Sequence, residues 1–270
     1  MEEYRPYFGQ IDESLRMPRF DGLRALPEHE QDYYGCIPIP GSNGEKEFLG
    51  YNLVSNWTID RALKLYERWQ AEALKREGLP KPVAIGLRPG SGFHDMMLAM
   101  CGFNCALIDF DHTAQEDLID LRNHYLSAQN ESSQNKTNGT LGLCEAELRD
   151  INADYLVKLC GDAALKVVTA YNVVQRLDDP EIETLFEAVA EAMAMNQIKT
   201  GKPVFAVHYV ASKSGKAVGG FYRHDPNDIE EKAKKAGLVT AYRKIGTHLG
   251  INRFAGFGFC LKPPENRPSV

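Results

Sequence analysis

The sequence predicts an α/β fold in which a mostly parallel sheet is wound with helices on both faces. Strand-like apolar runs alternate with helix-like runs through residues 82–262, which is typical of a doubly wound sheet. Near the start of this region, a turn with two glycines joins a strand to a helix, as in βαβ units that bind nucleotides. At its end, two strand-like runs follow each other without a helix-like run between them, so they can pair antiparallel.

The first βαβ unit occupies residues 82–111 and carries the most specific pattern of the chain. Its first strand, helix and second strand are predicted over residues 83–85, 93–101 and 105–108. Gly90 and Gly92 allow a tight turn and a close approach of the backbone to a ligand, although an ordinary strand-to-helix turn also uses glycine. Asp109 follows Gly90 by 19 positions, close to the roughly 20 that separate a glycine turn from a ribose-binding acid. The unit therefore predicts a ligand that carries a ribose.

The glycine turn distinguishes between two kinds of nucleotide ligand. A dinucleotide site requires G-x-G-x-x-G, and no third glycine follows Gly90 and Gly92 at the required spacing. The segment instead resembles the G-x-G-x-G turn of class I S-adenosylmethionine (SAM)-dependent methyltransferases. In that alignment the first glycine of the motif falls on Arg88, and the usual acid two residues earlier falls on Gly86. The resemblance implies SAM as the cofactor and cofactor contacts at these four positions.

The remaining elements follow the same family in order and type. Strands are predicted over residues 141–151, 204–210, 238–245 and 254–261, and helices over residues 114–126, 155–159, 178–195 and 228–236. Residues 166–177 resemble the family's fourth strand and the turn that follows it. Residues 127–139, rich in Asn, Ser and Gln, are predicted to form a surface loop. The resemblance covers residues 82–262 and implies a seven-stranded, Rossmann-like methyltransferase sheet whose last two strands are antiparallel.

The resemblance assigns further cofactor contacts to the residues after the second and third strands. Asp109 would bind the ribose hydroxyls, since Asp111 is better placed to cap the next helix. Phe110 would stack on the adenine or fill the core. Glu147 and Leu148 match the acid and apolar residue that flank the adenine in the family, although Glu147 also fits an ordinary surface charge.

The end of the predicted fourth strand supplies the candidate catalytic residues. In the family, the turn after this strand lies under the sulfonium, which places Ala170, Tyr171 and Asn172 beside the cofactor. A Tyr hydroxyl or an Asn carbonyl there can hold an amine or hydroxyl nucleophile, because methyl transfer depends on in-line alignment. His208 near the end of the fifth strand would either deprotonate the acceptor or serve as a buried core histidine. His94, in the first turn of the helix predicted over residues 93–101, would either contact the ligand or, as is more usual for such a histidine, face solvent.

The chain divides into an N-terminal lid or cap segment, residues 1–80, and a SAM-binding domain, residues 81–270. Residues 57–77 have the spacing of an amphipathic helix, whose start can be capped by Thr58 or by Asn56. In the family, N-terminal helices commonly cover the cofactor and shape the acceptor pocket. Within such a lid, Tyr33 or Tyr34 would contact the methionine portion of SAM or the acceptor. Alternatively, both tyrosines would only pack the lid against the domain.

Composition narrows the classes of partner and cellular location. A net charge of −6 gives no general attraction to nucleic acid or to an anionic membrane. No apolar run approaches the ~18 residues of a membrane span, and the polar start is unlike a signal peptide, so we expect a cytoplasmic protein. The seven histidines and six cysteines lack the spacing of a zinc site, so we expect no metal.

The acceptor class and the reaction remain open among three functions. Residues 170–173 read A-Y-N-V, without the N-P-P-Y or D-P-P-Y of the family's DNA and protein-amide members, which leaves methyl transfer to a small molecule. A second function is aminocarboxypropyl transfer or cyclisation, as in nicotianamine and azetidine-carboxylate synthases, which resemble this fold. The third is a catalytically silent partner protein. The off-pattern Gly86 and Arg88 keep these alternatives open, since Arg88 would either pair with the SAM carboxylate or exclude SAM in favour of a phosphate-bearing ligand.

Overall fold

A computed structural model describes residues 36–38, 46–89, 93–109, 139–195, 201–211, 222, 224–248 and 252–262. These residues form the strands β1 (Cys36–Pro38), β2 (Lys46–Phe48), β3 (Val83–Leu87), β4 (Asn104–Asp109), β5 (Leu141–Glu145), β6 (Leu165–Tyr171), β7 (Val204–Ala211), β8 (Leu238–His248) and β9 (Asn252–Leu261). They also form the helices α1 (Leu49–Ala73), α2 (Phe93–Met100), α3 (Ala153–Cys160), α4 (Asp179–Met195) and α5 (Pro226–Lys235), with short 3₁₀ helices at Leu148–Asp150 and Val174–Arg176. No helix in these ranges is long and apolar enough to cross a membrane.

Seven of these strands form one sheet in the order β5-β4-β3-β6-β7-β9-β8, and β1 pairs with β2 separately. Neighbouring strands from β5 to β7 run parallel, whereas β9 is antiparallel to both β7 and β8. The connection from His248 to Asn252 is too short for the crossover that a parallel pair needs, so β8 and β9 form a hairpin. This topology confirms the predicted doubly wound, seven-stranded sheet and its antiparallel last pair.

The two faces of the sheet carry separate cores, because successive strand residues point to opposite sides. One core joins Ile85 and Val168 to helices α3, α4 and α5, and the other joins Ala84 and Val167 to α1 and α2. The same alternation places a second set of residues on the face of α1 and α2, near the carboxyl ends of the strands: Gly86, Asp109, Thr169, Tyr171 and His208. The candidate site therefore faces α1 and α2.

Helix α1 lies against the sheet over β7 and β9. Two glycines of β9 permit this approach, since a Cβ at Gly256 would collide with the side chain of Val54. A Cβ at Gly258 would collide in the same way with the indole ring of Trp57. The strand is thus bare where the helix crosses it, and α1 packs directly on the backbone of β9.

The start of α1 differs from the prediction for residues 57–77. The helix begins at Leu49, so both candidate caps, Asn56 and Thr58, lie inside it. Thr58 is fully buried, and its hydroxyl donates to the carbonyl oxygen of Val54 at 2.7 Å. A threonine hydroxyl that bonds the carbonyl four residues earlier sits in a helix interior and not at its N-terminus, so the capping prediction is wrong for Thr58.

The third strand of the predicted sheet is shorter than expected, and the fourth ends in the expected turn. β5 ends at Glu145, although the predicted strand extends to residue 151, and a 3₁₀ helix follows it. β6 ends at Tyr171, so residues 166–177 contain the strand and the turn after it, as predicted. After β6, Asn172 adopts a φ of 59°, which turns the chain out of the sheet. The predicted helix over residues 114–126 and nearly all of the predicted loop over residues 127–139 lie outside the described residues.

Candidate functional site

The order of the sheet reverses between β3 and β6. From β3, the strands β4 and β5 extend the sheet to one side, while β6 and β7 extend it to the other. In doubly wound sheets, the loops that leave the strands at such a reversal open a crevice at the carboxyl ends, where ligands bind. The candidate residues that the structure describes lie at or near these strand ends, apart from Glu147 and Leu148, which follow β5.

Arg88 and Asp109 form an ion pair beside this reversal. The Nε atom of Arg88 lies 3.6 Å from Oδ1 of Asp109, and the two side chains are 16% and 3% exposed. Arg88 has a φ of 45°, a conformation that favours glycine, and this is the position where the aligned motif has its first glycine. Its backbone N–H donates to the carbonyl oxygen of Ile108 at 2.7 Å, which fixes the residue next to the end of β4. The predicted ribose acid is therefore buried beside a cation.

The place of the missing acid at Gly86 is filled by Asp95, from the first turn of α2. A Cβ at position 86 would lie 2.8 Å from Cγ of Asp95 and still closer to Oδ1, so the carboxyl group rests on the bare backbone of β3. Thr169 of β6 donates a hydrogen bond to Asp95 Oδ1 at 3.3 Å. Burial raises the pKa of the Asp95 carboxyl to about 7. Sequence reasoning missed this residue because an acid in the first turn of a helix is ordinary; the available signal was the bare position 86.

Tyr171 belongs to a directed chain of hydrogen bonds that links β6 to α1 and α2. Thr58 Oγ1 donates to Val54, so it accepts at 2.9 Å from the hydroxyl of Tyr171. The Tyr171 oxygen in turn accepts from Nε2 of His94 at 3.4 Å, and the two rings meet edge to face with centroids 4.8 Å apart. His94 is fully buried, so the prediction that it faces solvent is wrong. The first turn of α2 points towards β6, and burial follows from that packing.

Asn172 presents an amide oxygen at the end of β6. Its backbone N–H donates to the carbonyl oxygen of His208 at 2.7 Å, which continues the pairing of β6 with β7 into the turn. The side-chain Oδ1 is buried and has no hydrogen-bond partner among the described residues. A buried acceptor in that state costs about 1–3 kcal/mol. A ligand N–H or O–H group would relieve this cost.

His208 lies opposite Tyr171 in the register of β6 and β7, and its side chain is buried. Burial lowers the pKa of its imidazole to about 4. The ring is therefore uncharged at neutral pH and is a weaker base than an exposed histidine. A neutral imidazole can form a hydrogen bond to a ligand, but it provides little driving force for removing a proton from that ligand.

The other described positions are more peripheral. Glu147 follows β5, is substantially exposed and forms an ion pair with Arg149, while Leu148 packs at the edge of the core beneath α3 and α4. Ala170 is fully buried on the sheet face that carries α3 and α4, so only its backbone can face the crevice. Four predicted cofactor contacts lie outside the described residues: Tyr33, Gly90, Gly92 and Phe110. Within the described ranges, no cluster of three or more His, Cys, Asp or Glu side chains is arranged to hold a metal ion.

Neither a protein-family model nor a curated protein matches the sequence. Solved structures nevertheless share its fold. A putative sarcosine dimethylglycine methyltransferase from Galdieria sulphuraria is similar over 93% of this chain and 99% of its own, with a TM-score of 0.52 and 12% sequence identity. Magnesium protoporphyrin IX methyltransferase from Synechocystis PCC 6803, with bound SAH, is similar over 82% of this chain and 90% of its own, with a TM-score of 0.49 and 12% identity. The sheet order and the likeness to the Galdieria sulphuraria structure confirm that the chain has the fold of class I SAM-dependent methyltransferases.

Proposed function

We propose that the protein is a SAM-dependent transferase that moves a methyl group to a small molecule by in-line displacement. The observation that carries this proposal is the buried Oδ1 of Asn172, which has no hydrogen-bond partner among the described residues. It lies at the end of β6, across the reversal of the sheet from Asp109 at the end of β4. This separation suits a ligand that lies across the strand ends, with its ribose at Asp109 and its reacting carbon near Asn172.

The residues at the ribose end fit SAM. Asp109 offers carboxylate oxygens that can accept hydrogen bonds from both ribose hydroxyls. Arg88, held beside Asp109, has further N–H groups that can bind the carboxylate of the methionine portion. The bound cofactor supplies a methyl group that its sulfonium activates. The proposal retains the other cofactor contacts predicted from the sequence: Tyr33, Gly86, Gly90, Gly92, Phe110, Glu147, Leu148 and the backbone of Ala170.

The residues at the acceptor end are uncharged groups that position a nucleophile. Asn172 Oδ1 would accept a hydrogen bond from an N–H or O–H group of the acceptor, which directs a lone pair of that atom towards the methyl group. The new bond to the methyl carbon would form as the carbon–sulfur bond breaks, S-adenosylhomocysteine would leave, and the proton of the acceptor would pass to solvent. The hydroxyl of Tyr171 donates its hydrogen bond to Thr58 Oγ1, so its fixed ring and oxygen shape the site. His208 contributes a neutral imidazole beside them. In-line displacement requires alignment and exclusion of water more than a strong base, and this arrangement suits that requirement.

A second candidate function is aminocarboxypropyl transfer or cyclisation, with methylthioadenosine as the product. The observation that favours it is Arg88, which replaces a glycine of the aligned motif and pairs with Asp109. This substitution alters the surroundings of the methionine portion, which is the part of SAM that such a reaction breaks. A protein that binds SAM without catalysis is a third outcome that the same experiment detects.

Calorimetric titration of the purified full chain with SAM tests the proposal, followed by mass spectrometry of the nucleoside released on incubation with candidate amine and hydroxyl acceptors. Methyl transfer yields S-adenosylhomocysteine (SAH) only when an acceptor is present. Methylthioadenosine without any acceptor would replace the proposal by the second function. Binding without either product would leave a silent partner protein, and no binding would refute the assignment of SAM.

A further inference from the structure

The bare backbone at Gly86 and the carboxyl group of Asp95 are complementary. Gly86 is buried near the end of β3, and a side chain there would overlap the Asp95 carboxyl group, with its Cβ 2.8 Å from Cγ. Because real Cβ atoms essentially never approach other atoms closer than 3.0 Å, only glycine at position 86 admits the acid in this place. The carboxyl group of Asp95 thus occupies the volume that a side chain on β3 would otherwise fill.

The position of this carboxyl group coincides with the reversal of the sheet. Gly86 of β3 is the register partner of Thr169 of β6, and these two strands are the ones between which the order reverses. Thr169 donates a hydrogen bond to Asp95 Oδ1 at 3.3 Å. The acid is therefore anchored over both strands at the reversal, on the sheet face that also carries Asp109 and Tyr171.

Packing alone does not explain an acid in this position. The Asp95 side chain is 2% exposed, and no cationic side chain of the described residues lies within salt-bridge distance of it. Burying an ionisable carboxyl group without a cation is costly, and groups kept in this condition cluster at functional sites. The thiol of Cys105 on β4 donates to the backbone carbonyl of Asp95 at 3.3 Å, which holds the first turn of α2 but supplies no charge.

We propose that Asp95 is the acid of the cofactor site, and that its carboxylate accepts a hydrogen bond from the ammonium group of the methionine portion of SAM. This inference rests on the proposed function. With the ribose at Asp109 of β4, the amino-acid arm of the cofactor would extend towards β3 and β6, where Asp95 lies. An ammonium group donates hydrogen bonds to a carboxylate, whereas a sulfonium has no hydrogen to donate. The family's usual acid aligns with position 86 of β3, whereas in this chain the acid is Asp95 in the first turn of α2.

The test compares SAM and SAH, since both carry the ammonium group but only SAM carries the sulfonium. The titrations are made at pH 8, where the Asp95 carboxyl group is mostly ionised. Asp95→Asn keeps the shape of the side chain and its acceptor for Thr169 while it removes this charge. Titration calorimetry should show binding to both ligands weakened by about tenfold to a hundredfold, the range for a lost hydrogen bond between charged groups. Asp154→Asn is the matched control, because Asp154 is an exposed acid in the first turn of α3, and its affinities should equal those of the wild type.

An exchange of positions tests the complementarity directly. Gly86→Asp alone should weaken SAH binding, because two carboxyl groups then compete for one volume. Asp95→Ala alone should weaken it through loss of the acid. The double variant Gly86→Asp/Asp95→Ala should recover most of the affinity, because the acid then returns to the strand.

The outcomes separate this inference from the proposed function. If the wild type binds neither SAM nor SAH, the proposed function fails, and the role of Asp95 fails with it. If the wild type binds both and Asp95→Asn binds them equally well, the inference alone is overturned. A loss confined to SAM would also overturn it, since Asp95 would then face the sulfonium. Failure of a folded double variant to bind better than Asp95→Ala would refute the exchange of positions.

Discussion

The guanidinium of Arg88 and the carboxylate of Asp109 lie 3.6 Å apart, at the ends of two neighbouring parallel strands. The pair joins the residue in the first glycine position of the aligned motif to the acid predicted to bind ribose. A buried acid that already lies beside a cation is oriented before the ligand arrives. A ligand with hydroxyl donors can then share the acid without the cost of burying a new charge.

Asp109→Ala should weaken SAM binding by about 1–3 kcal/mol, because the hydrogen bonds to the ribose are lost. Titration calorimetry measures the change. Asp150→Ala is the control, since Asp150 is an exposed acid at the end of a 3₁₀ helix. An Asp109→Ala variant that binds SAM as tightly as the wild type would show that the site is misplaced.

Two substitutions of Arg88 separate its charge from its backbone conformation. Arg88→Gly and Arg88→Ala both remove the guanidinium, so both should weaken SAM binding by about 1–3 kcal/mol. Only alanine retains the strain of a φ of 45°, so Arg88→Ala should be less stable to thermal unfolding by about 0.5–1 kcal/mol than Arg88→Gly. Tighter SAM binding by Arg88→Gly would contradict the proposed contact and would indicate that the arginine excludes SAM.

Tyr171→Phe should slow turnover while leaving SAM affinity near that of the wild type, because the ring remains and only the hydroxyl is lost. The lost hydroxyl leaves Thr58 Oγ1 without its donor and His94 Nε2 without its acceptor, which should lower the free energy of unfolding by about 1 kcal/mol. Steady-state kinetics and calorimetric titration separate the two effects. Tyr155→Phe, on a half-buried tyrosine of α3, is the control, and unchanged turnover in Tyr171→Phe would remove this residue from the catalytic set.

The stability of the protein should depend on pH through Asp95. Its pKa is raised from 3.8 to about 7 by burial, so the folded state holds a proton that the unfolded state has already released. The favourable contribution of the neutral acid is complete below about pH 4 and is lost as the pH rises through 7. The titratable side chain against it on β4, the thiol of Cys105, has its pKa raised well above the usual value by burial and stays neutral over this range.

Asp95→Asn removes that pH dependence, because an amide does not ionise. At pH 8 the variant should be more stable than the wild type by about 2–4 kcal/mol, and near pH 4 the two should be similar. Chemical denaturation at the two pH values measures the difference. A variant that gains stability while it binds SAM more weakly has lost a functional acid, whereas a loss of stability at pH 8 would indicate a structural one.

The sequence patterns predict the sheet well and the site only partly. Alternating strand-like and helix-like runs are local properties, and they give the strands, most helices and the antiparallel last pair. The end of β6 is harder to predict, because apolar residues recur on both sides of Asn172, whose positive φ ends the strand. Apolar residues continue into the turn since they pack in the core there too.

The contacts between distant residues could not be predicted in the same way. Asp95 fills the space of position 86 only because α2 packs on β3, which no spacing in the sequence reports. His94 looks like an exposed first-turn residue until the helix is placed against Tyr171. Thr58 looks like a helix cap until α1 is seen to begin at Leu49. In each case the identity of the residue was visible, but its neighbour came from another part of the chain.

The glycines of β9 affect the position of a hydrogen-bond partner of Tyr171 on β6. At Gly256 and Gly258 no side chain separates β9 from α1. A side chain at either position would clash with Val54 or Trp57 and would push α1 away from the sheet. Lifting α1 withdraws Thr58 from the hydroxyl of Tyr171, although neither residue is near the substituted position in sequence. Glycine in the β8–β9 hairpin thus allows the contact between Thr58 of α1 and the hydroxyl of Tyr171, although Tyr171 lies on β6, two strands away.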